Sequence, residues 1–128
     1  MQKIFLDTNF LLVPYQFKVD IFTEFERICD FPYEINILDK TIDELKNIIE
    51  KQKGKSKKAA KLALMLIKAK DLKITAVNSN KSVDDILVEL SKKGYIIATS
   101  DKEVKKKVKK YITLKQKKYL IMGCNNVL

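Results

Sequence analysis

The chain contains no histidine. That excludes Ser-His-Asp and Cys-His catalysis and any histidine-ligated metal. Acid–base chemistry must then come from carboxylates, lysine, tyrosine or metal-bound water. Cysteine is almost as scarce: Cys29 and Cys124 stand alone and far apart. They have no zinc-ligand spacing, so reduced thiols in a cytoplasmic protein are expected. No apolar run reaches the roughly 18 residues that a membrane helix needs, and no membrane association is expected. The start, Met1-Gln2-Lys3-Ile4-Phe5-Leu6-Asp7, turns acidic too soon for a secretory leader. Internal repeats and low-complexity segments are lacking as well. With 128 residues, one domain over 1–128 with its own hydrophobic core is the expectation.

Acidic residues run short after the first third of the chain. Residues 1–50 hold 5 basic and 10 acidic side chains, whereas residues 51–128 hold 21 and 6. Such asymmetry points to a polyanionic partner, nucleic acid ahead of membrane. A lysine-rich solvated surface of the thermophile kind would give the same count.

The hydrophobic pattern alternates between strand and helix. Lys3-Ile4-Phe5-Leu6 reads as a buried strand, and a helix from Val19 to Cys29 follows, stopped by Phe31-Pro32. Tyr33–Leu38 alternates as a second strand, and Asp39–Gln52 carries a helical stripe of Ile42, Leu45, Ile48 and Ile49. Lys51–Lys58, with a glycine, a serine and five lysines, is expected to be an exposed connection between helices. Ala59–Lys70 is an Ala/Leu-rich helix, apolar around much of its girth, which suits either the core or a subunit interface. Leu72–Val77 is a third strand. Ser82–Lys92 is a helix capped by Gly94, and Tyr95–Thr99 reads as a central parallel strand. A helix from Asp101 to Lys109 and two short strands, Tyr111–Leu114 and Tyr119–Met122, complete the chain. This order predicts an α/β fold, a three-layer α/β/α sandwich with a central, mostly parallel sheet.

Against that frame four acids stand out. Asp7 and Asp101 directly follow strands, and Glu44 and Asp85 fall in the first turns of helices. In an open α/β sheet such places share the carboxyl edge of the strands, where ligands bind. Four carboxylates gathered there repel one another unless a cation neutralises them. Hard oxygen ligands select Mg²⁺ or Mn²⁺. Each acid also has a plainer role. Thr41-x-x-Glu44 and Ser82-x-x-Asp85 match capping boxes, Asp101 suits a helix start, and Asp7 suits an Asx turn with Asn9. Capping alone does not require all four at one edge, nor does it place an aspartate directly after an apolar strand. Asp84 and Glu103 flank the set. Thr8, Asn9 and Ser100 are placed to orient a ligating carboxylate by hydrogen bonds, or simply to make turns.

Lys51, Lys53, Lys55, Lys57 and Lys58 are candidates to grip phosphates, as are Lys102, Lys105 and Lys106 on the helix that begins at Asp101. Tyr95, Tyr111 and Tyr119 lie in strand-like runs and are expected in the core rather than stacking on bases.

Taken in order, Asp7-Thr8-Asn9, Glu44-Leu45, Asp85-Ile86-Leu87-Val88 and Ala98-Thr99-Ser100-Asp101-Lys102-Glu103 resemble the PIN-domain ribonucleases over essentially the whole chain. Val19-Asp20-Ile21-Phe22, Ser82-Val83-Asp84-Asp85 and Ala98–Glu103 are most similar to small single-domain archaeal PIN proteins, which are similar to VapC-type toxins and to rRNA-processing PIN nucleases. The resemblance implies Mg²⁺- or Mn²⁺-dependent cleavage of single-stranded RNA, with Asp7, Glu44, Asp85 and Asp101 at the family's acidic positions. It also implies a homodimer and, by branch, an antitoxin or ribosome-assembly partner. The expected activity is that of an endoribonuclease using metal-activated water, with Asp7, Asp85 and Asp101 on the principal ion and Glu44 on a second ion or the water. A PIN-like module that binds RNA or protein without cleaving is the alternative. Haloacid-dehalogenase-type phosphatases need a second aspartate where Asn9 stands. Receiver domains need an acidic pair after the first strand, and Asp84-Asp85 is in another element.

Overall fold

A computed structural model describes residues 1–126; residues 127 and 128, part of the expected single domain, lie outside the described residues. The apolar run after Met1 forms β1 (Gln2–Leu6), with Ile4 and Leu6 facing one side of the sheet and Phe5 the other. This is the period-2 alternation of a strand buried on both faces. The chain then passes through a 3-10 turn (Asn9–Leu12), α1 (Val13–Phe17) and α2 (Ile21–Ile28) to β2 (Tyr33–Leu38). Next come α3 (Asp39–Lys51), α4 (Gly54–Ala69), β3 (Lys73–Thr75), α5 (Val83–Lys92), β4 (Ile96–Ala98), α6 (Lys102–Lys107), β5 (Lys110–Lys115) and β6 (Tyr119–Cys124).

The six strands form one sheet in the order β3-β2-β1-β4-β5-β6. All neighbours pair in parallel except β5 and β6, which form an antiparallel hairpin. One core cluster unites Ile4, Leu6, Ile37, Ile96 and Ala98 with Phe10, Val13, Ile21, Phe25, Leu45, Ala60 and Ala63. The opposite face joins Phe5, Leu38 and Ile97 to Val83, Ile86, Leu87, Val104 and Val108. Helices α1 to α4 therefore cover one face and α5 and α6 the other, which is the expected α/β/α sandwich. Among the described residues no helix is long and apolar enough to cross a membrane.

Three local expectations are corrected. The chain over 9–17, given no element in the sequence reading, is helical: Pro14 sits in the first turn of α1, where its missing N–H is no loss, and Lys18 closes the helix at φ 57°. Lys51–Lys58 is largely exposed, as expected, but the connection within it is shorter than expected. Lys51 ends α3, only Gln52 and Lys53 lie between, and Lys55 to Lys58 are already in α4. Gly54 enters that helix at φ +66°, a backbone setting that explains a glycine there. Thr41 does not cap α3, because the helix starts two residues earlier with Leu38 as its N-cap. The Thr41 hydroxyl is instead buried and unpartnered.

The apolar α4 is explained within the chain. Ala59, Ala60, Ala63 and Ile67 are buried, and the helix packs on α3, α1 and the 3-10 turn. Met65 is exposed.

Candidate metal and catalytic site

β1 lies between β2 and β4, so the chain runs outward from β1 through β2 and β3, then returns to β1's other side as β4. This reversal opens a crevice beyond the carboxyl ends of β1 and β4, the place where open α/β sheets bind ligands. Asp7 is the first residue past β1. Its backbone N–H still bonds to the Ala98 carbonyl at 2.9 Å, which fixes the residue at the lip of the crevice.

The Asp7 side chain is only 4% exposed. Thr8 N–H donates to Oδ1 at 2.8 Å, and the Thr99 hydroxyl donates to Oδ2 at 2.7 Å. Thr99 in turn accepts from the Asp101 N–H at 3.1 Å. One hydrogen-bonded line thus ties the ends of β1 and β4 together. Burial pushes the Asp7 carboxyl up to about 6; the Thr99 and Thr8 hydrogen bonds pull it down, and the charges of Asp84 and Asp101 add to the rise.

The crevice has a volume of about 360 Å³ and is lined by Asp7, Thr8, Asn9, Leu12, Glu44, Asn47, Ile48 and Asp84. Glu44 reaches it from the second turn of α3 and accepts a short hydrogen bond from the Thr8 hydroxyl. Asp84 reaches it from the first turn of α5. Its carboxyl is raised by burial first, then by Asp101 and Asp85, with Lys107 opposing. Asp101 is the N-cap of α6: its Oδ1 accepts from the Glu103 and Val104 N–H groups at 2.8 and 3.3 Å. A capping oxygen leaves its second oxygen free for another partner.

The remaining expected residues are distributed as follows. Asp85 is exposed, does not line the crevice, and has Lys81 within its field. Its N–H bonds to the Ser82 hydroxyl at 3.2 Å, so Ser82 does cap α5. Ser100 is exposed, and the buried hydroxyl on Asp7 belongs to its neighbour Thr99. Glu103 lies in solvent, 3.6 Å from Lys106. Lys102 and Lys106 are exposed on α6, and Lys105 covers the Tyr111 ring at 5.7 Å. Lys53 is the N-cap of α4. Tyr95, Tyr111 and Tyr119 are half-buried, and Tyr95 packs on Phe5 at 5.5 Å. Thr99 and Asn47 were not singled out from sequence. Position two before Asp101, at the end of an apolar strand, is the one signal that marks Thr99.

The donor set suits a hard divalent cation. Asn9 lines the same crevice, and its Oδ1 atom is buried without a hydrogen-bond partner. An orphaned amide oxygen on a residue of the same crevice as a carboxylate whose ionisation is resisted leaves two acceptors for positive charge. Among the described residues no three acidic or thiol side chains already sit at ligand spacing. Closing the set around an ion therefore takes side-chain rotation, which the exposed Glu44 and Asp84 are free to make.

A fold of this topology with acids at the switch point defines a class. The family model described as "PIN like domain" matches residues 4–117, and the chain belongs to that family. It is 35% identical over 127 residues to Ribonuclease VapC4 of Methanocaldococcus jannaschii, covering 93% of this chain and 95% of that protein. The solved structure of the PIN domain endonuclease Utp24 matches in fold with a TM-score of 0.76 at 18% identity, over 96% of this chain and 92% of that one. A domain of a functionally unknown protein from M. jannaschii matches with a TM-score of 0.54 at 14% identity, over 82% of each chain.

Proposed function

We propose that this protein is a divalent-metal-dependent endoribonuclease that cleaves single-stranded RNA in the crevice at Asp7. The observation that carries the reading is the buried Asp7 carboxylate at the switch point, with Asp84 and Asp101 in its field, in a crevice that Asn9, whose Oδ1 has no partner, also lines. The ribonuclease relative, which spans nearly the whole chain, supports the activity and RNA as substrate. On this reading Asp7, Asp84 and Asp101 hold Mg²⁺ or Mn²⁺, and Glu44, aligned by Thr8, positions the attacking water or a second ion. The crevice lining favours Asp84 for the place that the sequence pattern assigns to Asp85. When bound, the cation activates water for attack on phosphorus and offsets negative charge in the transition state. Thr99 and the Thr8 N–H keep the Asp7 carboxylate oriented and favour its charged form. Lys107, whose charge is felt at Asp84, would offset phosphate charge near that residue. A second copy of the chain and an antitoxin or ribosome-assembly partner belong to the same reading and rest on family likeness alone; so does a cytoplasmic location.

The test is incubation of the protein and its Asp7→Asn variant with labelled single-stranded RNA in Mn²⁺, Mg²⁺ or EDTA. Metal-dependent cleavage that leaves 5′-phosphate and 3′-hydroxyl ends, and that falls by at least about a hundredfold in Asp7→Asn, is expected. A 2′,3′-cyclic phosphate product would refute water attack, because the RNA's own 2′-hydroxyl would then be the nucleophile. Salt-sensitive binding with no cleavage would favour the non-catalytic module.

A further inference from the structure

The acidic crevice does not end at its carboxylates. It runs out along Leu12 on one wall and along Asn47 and Ile48 of α3 on the other. Three and four residues beyond Leu12 come Tyr15 and Gln16, on the same helical face and about one turn, roughly 5 Å, further along the axis. On the other wall the same step leads from Asn47 to Lys51, the last residue of α3. Tyr15 and Gln16 line a second cavity, about 470 Å³ in volume, together with Lys18, Lys55 and Ser56. Its walls are the end of α1 and the start of α4.

The lining has two cationic side chains and no acid. Lys18 Nζ stands 4.3 Å from the centroid of the Tyr15 ring. Beside it Phe17 is 36% exposed, with Lys117 Nζ from the β5–β6 turn at 5.9 Å from its ring. The first turn of α4, which brings Lys55 and Ser56, has no acidic residue and no side-chain cap. An aromatic face next to flexible ammonium groups is the composition that binds a single nucleic-acid strand, with the ring taking a base and the lysines a phosphate. Lys18 is held on the ring only by a cation–π attraction, which is weak at an exposed site, so a base can displace it toward the phosphate.

We propose that this cavity is a second binding site for the RNA strand, one step from the acidic crevice, which stacks a base on Tyr15 and holds the adjoining phosphate between Lys18 and Lys55. The inference rests on the ribonuclease reading for what happens in the crevice, but the binding it claims is measurable without cleavage. An acidic peptide would use the lysines and have no need of the ring, so a charge-neutral change at Tyr15 separates the two ligands.

The experiment is polarisation titration of a labelled mixed-sequence single-stranded RNA in EDTA, at several salt concentrations. Tyr15→Ala is expected to weaken binding by about fivefold to a hundredfold with the salt slope unchanged, and Tyr15→Phe to restore it. Lys18→Ala and Lys55→Ala are each expected to flatten the slope of log affinity against log salt by about 0.7. Lys73→Ala, at the exposed amino end of β3, serves as the control and should match the parent. Equal RNA affinity in the parent, Tyr15→Ala, Lys18→Ala and Lys55→Ala overturns the site. A Tyr15→Ala loss that Tyr15→Phe does not restore also overturns the stacking assignment. If the parent cleaves RNA in Mn²⁺ but these variants bind unchanged, this inference fails and the nuclease reading stands. If no cleavage is seen but the Tyr15 and lysine effects appear, the nuclease reading fails and the strand-binding site stands. A parent that does not bind RNA in EDTA refutes this site, and one that also does not cleave it in Mn²⁺ refutes both.

Discussion

Asp7 is held in its charged form against the cost of burial. Its carboxyl sits at about 6 in the folded chain against an ordinary value of 3.8. The folded state therefore binds the extra proton between those values, so the stability associated with this group is present below about pH 4 and lost as pH rises through about 6. The size of that loss is on the order of 3 kcal/mol. Asp7→Asn keeps the shape and removes the titration. Without metal, the variant should melt several degrees above the parent at pH 7 and converge with it near pH 4. Parallel melting profiles for the two proteins would show that Asp7 is not charged at a cost. The same proton competes with the ion, since a ligating carboxylate must ionise. Mn²⁺ affinity, read by calorimetry, should fall up to about tenfold per pH unit below pH 6 and level off above it. A flat affinity across that range would remove Asp7 from the ligand set.

The elements that position the acids differ in how plainly they could be read. β1 and β4 are short apolar runs, β2 alternates, and α5 has Val83, Ile86, Leu87 and Leu90 in helical phase, so the order of strands and helices follows from periodicity. The segment 9–17 has no such phase: Asn9-Phe10-Leu11-Leu12-Val13-Pro14 is apolar on every side because it packs between the sheet and α4. The choice between Asp84 and Asp85 was equally illegible. Adjacent helical residues point about 100° apart, both lie off the buried stripe of α5, and only the neighbouring strand ends decide which one meets Asp7. Thr41 misled for a related reason, since Asp39 at the true start of α3 is engaged by the Lys40 and Val77 N–H groups at 2.9 and 3.2 Å. The cap at Ser82 offers a test at this scale. Ser82→Ala should cost about 1 kcal/mol of stability and loosen the turn that carries Asp84. Metal-dependent cleavage should then drop at temperatures well below the melting point, while cleavage unchanged from the parent would mean that Asp84 is held by something other than the cap.

Over the whole molecule, folding undoes the charge division seen along the chain. Residues 1–50, with their acidic excess, supply β1, β2 and α3, and β1 pairs directly with β4 from the basic part. The acids Asp7 and Glu44 therefore meet Asp84 in one crevice whose approaches are lined with lysine. A single RNA strand that passes Lys107, Lys51, Lys55 and Lys18 would neutralise about four phosphates. Each phosphate contact contributes about −0.7 to the slope of log affinity against log salt for a single strand, so a slope near −3 is expected. Raising salt fourfold should then weaken binding by about fiftyfold. Charge spread as a solvated coat, with no lysine fixed on phosphate, predicts a much shallower slope and no step when single lysines are removed. The two cases separate on a series of single alanine variants: Lys18, Lys51, Lys55 and Lys107 should each flatten the slope by a similar step, while the exposed Lys73, at the amino end of β3, should leave it unchanged. Equal slopes across the series would show that the net charge of +10 serves solubility rather than a strand path.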